Sequence, residues 1–337
     1  MIPPRNPSVT RRTLLGGGLS AMALAAAGCG SAEGLTVASD GRASIRILAF
    51  RAPSLGAFLP AVIKSQGIDV AHNLRVSYAY ATPDNYNTEF ASGHYEVGAS
   101  AALLSEALRT ERGVAVSYLF NLFDYFTAVV TSDPAIRGLG DLRGHSLAAA
   151  TGTTNHAMFE WFARQAGLDL YKVELLNQTT AGLSTMALMG RADATEIWEP
   201  AYSSLRHAKP GIRTLDLGLP NWQRAFGTDQ MPYLGLAAHS AWARSHPDAV
   251  ATLYKIYSDA ATFTRREPAK AAKAIAAAIP KGKPATIQAL IEDNARLRLN
   301  VRPAAQLTAG IGAVFDAGRQ TGYLTKNPPA GIVYRGL

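Results

Sequence analysis

The chain has 337 residues, 48% of them apolar, a single cysteine and a formal net charge of +8. That is enough chain and enough apolar surface for two well-developed cores, and it excludes a disordered or fibrous protein. One cysteine excludes an intramolecular disulfide, a catalytic thiol and a cysteine-based metal site. Arg5, Arg11 and Arg12 precede Cys29, which leaves +5 scattered over the remainder, with no basic and aromatic strip of the kind that tracks nucleic acid.

Residues 1–28 contain those three arginines, no acid, and an apolar run from Leu14 to Ala27 that is too short to stay in a bilayer as a span. This stretch is expected to be an export leader. Thr10–Leu15 resembles the twin-arginine signal, and Ala26-Ala27-Gly28-Cys29 resembles a lipoprotein cleavage site, with Ala26 where leucine is usual. Lipidation is therefore expected at Cys29. Residues 29–43 are small, polar and aperiodic, and are expected to be a flexible tether.

Strands are predicted at Ser44–Phe50, Leu74–Tyr80, Tyr95–Ala99 and Val114–Phe120, alternating with helices at Leu55–Gln66, Asp84–Ser92 and Ala101–Arg112. Leu119–Thr131 has no glycine or proline and reads as a crossing into a second α/β unit, Thr127–Leu217. In that unit strand Ser146–Ala150, loop Thr151–Asn155 and helix His156–Ala166 follow one another without a spacer. Strand Val173–Leu176, loop Asn177–Thr180, helix Ala181–Gly190 and strand Ala194–Trp198 come next. Successive crossovers of this kind bring the loops to one edge of a parallel sheet, where ligands bind.

The run GLPNWQRAFGTDQ is expected to be a loop, and Met231–Ala238 a return crossing. From Ser240 onward the chain reads as helices: Ala241–Ser245, Pro247–Arg266, Pro268–Ala278, Pro284–Asn294 and Pro303–Thr321. Four of the five start at proline, which suits the first helical turn. These helices are expected to pack on the first unit. The layout expected is therefore 44–124 plus 233–337 as lobe one and 125–232 as lobe two.

A ligand between two such lobes meets loops at the carboxyl ends of strands from both. The first unit nominates Arg51, Ser54 and Leu55, then Asn85 and Tyr86, then Ser100 and Ala101. The second nominates Gly152, Thr153, Thr154 and Asn155, then Trp198 and Glu199, and the crossing adds Asp124 and Tyr125. Each has a structural alternative. Thr153 caps a helix in either case; Trp198 packs in the sheet while Glu199 caps the helix opened by Pro200; Asp124 lies at a hinge. Arg51 facing the ligand favours an anion, whereas Arg51 paired with Asp124 or Glu199 favours a heterocycle or an amine. The seven histidines show no metal-ligand spacing, and no nucleophile elbow, phosphate loop or paired-carboxylate motif occurs. No cofactor and no catalysis are expected.

Gly138-Leu139-Gly140-Asp141-Leu142-Arg143-Gly144, Gly152-Thr153-Thr154 and Gly190-Arg191-Ala192-Asp193-Ala194 with Trp198-Glu199-Pro200 occur in that order. Together they resemble the ABC-transporter substrate-binding proteins of the nitrate/sulfonate/taurine and thiamine-precursor group. The resemblance implies a type II periplasmic binding fold: α/β, two-lobed, with two crossing strands and a C-terminal helical segment on lobe one. It further implies an exported, lipid-anchored monomer at the outer face of the cytoplasmic membrane or in the periplasm. Such a protein closes on a sulfonate-like anion or a thiamine-pyrimidine-like heterocycle and serves an ABC permease and its ATPase. Two rivals remain on the same fold. One is a pyrimidine-synthase-like enzyme, whose cysteine-rich motif this chain lacks; the other is a ligand-sensing lipoprotein.

Overall fold

The apolar runs of the sequence pair into two separate β-sheets, and the chain passes between them twice. The computed structural model describes residues 34–280 and 282–337. The expected leader 1–28, Cys29 and the start of the tether lie outside the described residues. The strands are β1 (Thr36–Val37), β2 (Ala43–Phe50), β3 (Leu74–Ala81), β4 (Val97–Ala102), β5 (Val116–Asp124), β6 (Ala128–Thr131), β7 (Ser146–Ala149), β8 (Glu174–Asn177), β9 (Ala194–Ile197), β10 (Arg213–Leu215), β11 (Pro232–His239) and β12 (Leu299–Pro303). The first sheet has the order β1-β2-β4-β11-β5-β12, with β3 paired to β2, and the second is β10-β6-β9-β7-β8.

Helices α1 (Phe58–Gln66), α2 (Ile68–Ala71), α3 (Pro83–Ala91) and α4 (Leu103–Glu111) follow strands of the first sheet. Around the second sheet lie α5 (Thr154–Gln165), α6 (Thr180–Met189), α7 (Ala201–Ala208) and α8 (Pro220–Phe226). The C-terminal part supplies α9 (Ser240–Ser245), α10 (Pro247–Arg266), α11 (Pro268–Ala277), α12 (Pro284–Glu292), α13 (Asn294–Leu297) and α14 (Thr308–Thr321). Val250, Leu253, Ile256 and Tyr257 of α10 share one core with Ile45 and Ile47 of β2 and Val62 of α1, so this segment covers the first sheet as expected. By contrast, α14 and α4 share a core with Trp161 and Phe162 of α5. That packing makes the two sheets parts of one compact unit. Among the described residues, no helix is long and apolar enough to cross a membrane.

Several elements differ from the sequence expectation. Thr36 and Val37, within the expected tether, pair antiparallel with Ser44 and Ala43, and Asp40 beside them holds Arg42 and Arg75. The expected loop after Leu217 contains α8. There Trp222 packs edge-on to Trp161 at 5.1 Å, and its indole N–H donates to the Gln230 carbonyl. Aromatic burial stabilises a short helix where the Gly and Pro content suggested a loop. Pro303 ends edge strand β12 instead of opening a helix, because its fixed φ and missing N–H suit a strand edge as well as a first helical turn.

Strand β4, VGASAA, is buried along its whole length, and its small residues let neighbours approach closely. A Cβ at Gly98 would lie 2.1 Å from the hydroxyl oxygen of Tyr86, itself fully buried in α3. Gly98→Ala is expected to lower stability by about 1–3 kcal/mol through overpacking, read from urea unfolding. Adding Tyr86→Phe removes the colliding oxygen and is expected to restore part of the loss.

Candidate functional site

Strands β7, β8 and β9 are mutually parallel, and β2 is parallel to β4, so each sheet collects loops at the carboxyl ends of its strands. The two loop edges meet at the first turns of α4 and α5. Thr153 is the N-cap of α5; its Oγ1 accepts from the His156 amide at 3.2 Å. Thr154 reaches across to the other sheet, its Oγ1 accepting from the Ser105 amide at 3.2 Å and meeting the Ser105 hydroxyl at 3.0 Å. Two helix N-termini therefore converge, each contributing partial positive charge and first-turn amides.

Ser105 was not singled out from the sequence, because the expected helix began at Ala101 and placed it mid-helix. The helix begins at Leu103, which makes the Ser105 N–H one of the unsatisfied first-turn donors. Beside this junction Asn155 Nδ2 donates to the Tyr233 hydroxyl at 3.0 Å, and the Tyr125 hydroxyl donates to the Asn155 carbonyl at 3.3 Å. Asn155 Oδ1 is buried without a hydrogen-bond partner. Behind the loop, His156 Nδ1 lies 2.8 Å from Glu196 Oε2, a buried pair tying α5 to β9. Burial depresses the His156 pKa, but the hydrogen bond and charge of Glu196 outweigh it and the net shift is upward.

The nominated residues of the first sheet divide into two groups. Arg51 is exposed just past β2; its backbone N–H donates to the Ala81 carbonyl, and its guanidinium has no partner among the described residues. Ser54 is half-buried and caps the short turn that follows, its Oγ accepting from the Gly56 amide. Leu55 and Tyr86 are core residues. Ser100 lies inside β4, fully buried, and its Oγ accepts from the Phe50 amide at 2.8 Å. Its predicted loop position shifts because β4 runs on to Ala102. On the second sheet Gly152 is exposed and Trp198 half-buried, one side of the indole packing on Ala148, Ala150 and Leu183.

The two carboxylates are both engaged away from Arg51. Glu199 is 1% exposed; it accepts from the Ser203 amide and hydroxyl at the start of α7, and Arg296 of α13 reaches it at 3.4 Å. Burial pushes its pKa up, against the hydrogen bonds from Ser203 and the charge of Arg296. Asp124 accepts from Asn121 at 3.0 Å and from Asn300 of β12 at 2.8 Å, on the opposite side of β5 from β2 and β4. Burial pushes its pKa up to about 6, opposed by Asn300 and Arg298. At the other edge of the second sheet, Asp133, His145 and Asp193 each bring one donor atom within 4.8 Å of the others. There Asp193 already accepts from the Ser146 amide and hydroxyl.

This arrangement of two sheets, a double crossing and facing loop edges is the periplasmic binding protein fold. The periplasmic aliphatic sulphonate binding protein SsuA of Escherichia coli superposes with a TM-score of 0.69 at 19% identity, over 87% of this chain and 92% of that one. The alkanesulfonate-binding protein SsuA from Xanthomonas axonopodis pv. citri, bound to MOPS, superposes with a TM-score of 0.66 at 16% identity, over 87% and 95%. Residues 64–271 match the family model described as NMT1/THI5 like, and the chain belongs to that family. A curated relative from Escherichia coli (strain K12), named "Putative aliphatic sulfonates-binding protein", is 31% identical over 90 residues. That match spans 27% of this chain and only 28% of the relative's length.

The raised pKa of Asp124 makes a pH prediction. A carboxyl whose folded pKa exceeds its unfolded value near 3.8 favours the fold when protonated, and that stability is lost as pH rises to about 6. Asp124→Asn removes this dependence. The difference in melting temperature, native minus Asp124→Asn, is expected to fall between about pH 4 and pH 6 and to level off above. A flat difference would show that Asp124 ionises normally.

Proposed function

We propose that the chain is the solute-binding component of an ABC-type importer that closes on a small organic anion, sulfonate-like in its head group. Residues 44–124 with 233–337 form one lobe in this reading and 125–232 the other. Lipid on Cys29 holds the protein at the outer face of the membrane, where it serves a permease and its ATPase. The observation that carries the anion preference is Arg51, exposed just past the carboxyl end of β2 and without a side-chain partner among the described residues. Asp124 and Glu199, the carboxylates that would have neutralised it, are held by Asn121 and Asn300 and by Ser203 and Arg296.

The convergent N-termini of α4 and α5 add partial positive charge to the same potential. Ser54 and the half-buried indole of Trp198 add a hydroxyl and an apolar surface for the rest of the ligand. The sulfonate-binding relatives, by their names, support the same ligand class. Closure follows if the ligand touches both lobes, because only then does it favour the closed state over the open one.

A thermal-shift series on the full-length chain tests this reading. Alkanesulfonates are expected to raise the melting midpoint, since a ligand at about 100 times its Kd adds about 2.7 kcal/mol to the native state. Arg51→Ala is expected to weaken binding by about tenfold or more, as loss of a charge-assisted hydrogen bond does, with the ligand-free midpoint unchanged. Trp198→Ala is expected to weaken binding in the same assay with little change in the ligand-free midpoint. Stabilisation by amines or pyrimidines with indifference to sulfonates would overturn the anion assignment.

A further inference from the structure

Beyond that cleft, a second pocket opens beside the crossing strand, at the β12 edge of the first sheet. It has a volume of about 390 Å³ and is lined by Asp124, Arg265, Asn294, Ala295, Arg298 and Asn300, with Leu299 at its back. Three elements meet there: the end of β5, the last turn of α10 and the link from α13 into β12. We propose that this pocket is a second binding site, for a small tetrahedral oxyanion of the sulfate or phosphate class, gripped by the guanidinium groups of Arg265 and Arg298.

The balance of donors and acceptors on its wall is the reason. Arg298 is half-buried where it lines the pocket, and even its buried Nε has no hydrogen-bond partner, so the donors of its guanidinium are not used up within the protein. Arg298 is also one of two non-glycine residues with positive φ among the described residues, at 54°. Its carbonyl accepts from the Asp124 amide at 2.8 Å, which fixes this backbone against the crossing strand. Arg265 uses one nitrogen on the Leu299 carbonyl at 2.7 Å, and among the described residues neither guanidinium lies within ion-pairing distance of a carboxylate. A planar five-donor group of this kind is suited to receiving two oxygens of one anion.

Asp124 is the one acid on the wall, and its two oxygens are turned onto amides, each accepting an amide hydrogen, from Asn121 and from Asn300. Beside the pocket, Arg296, two residues before Arg298, donates to Ser203 Oγ of α7 at 3.0 Å and to Glu199. An anion held here would brace the link between β12 and the crossing.

The test uses the full-length chain with inorganic phosphate and inorganic sulfate as probes, at constant ionic strength made up with sodium chloride. A saturable rise in the melting midpoint is expected, retained in Arg51→Ala. Arg298→Asn keeps a residue tolerant of positive φ, and it is expected to weaken the apparent Kd about tenfold or more; Arg265→Gln is expected to do the same. If Arg51→Ala abolishes the rise while Arg298→Asn retains it, the oxyanion sits in the main cleft and this proposal fails. It fails equally if neither probe gives a saturable rise. Either result leaves the sulfonate reading to its own experiment.

Discussion

Strand β11 is hydrogen-bonded on both edges, to β4 on one side and to β5 on the other, antiparallel to each. The first sheet is therefore incomplete until the chain has left it, built the second sheet and come back. Everything between Asp124 and Pro232 is inserted between two neighbouring strands of that sheet. Close packing enforces the return: a Cβ at Gly235 would fall 2.4 Å from the Tyr118 ring and 2.5 Å from the Phe120 carbonyl oxygen. Only a residue without a side chain lets β11 pass under Tyr118.

The same crossing sorts the charges. Because β5 lies between β11 and β12, a carboxylate at its end turns either toward the cleft or toward β12. Asp124 turns toward β12, drawn by the amides of Asn121 and Asn300. Glu199 is likewise withdrawn, to the start of α7, where the amides of an opening helix favour a negative charge. The anion preference proposed for this chain thus rests on where the acids are held as much as on where Arg51 lies.

Contact between the sheets is not confined to the crossing strands. Helix α5 packs on α14, with Trp161 Nε1 donating to Gln320 Oε1 at 2.8 Å, and Arg296 spans the gap on the other side. These contacts draw on side chains far apart in sequence, which is the arrangement expected to make folding slow and cooperative. They also bring the nitrogen and oxygen groups of Ser105, Thr154, Asn155 and Tyr233 together where the two sheets meet.

The alternation of strands and helices, the Thr151–Asn155 loop before a helix, and the proline starts of α10, α11 and α12 were legible in the sequence, because each rests on local backbone chemistry. So was the return strand at Met231–Ala238. Pro303 was misread because its φ fits two elements and only the edge position of β12 chooses between them. The residues around Trp222 were misread because a short helix gains its stability from Trp161, about 60 positions earlier. Nor could spacing say that Ser105 meets Thr154, that Asp124 faces Asn300 or that Arg265 and Arg298 line one pocket. Those facts depend on which strands become neighbours, and strand order is fixed by long-range packing that no local pattern encodes.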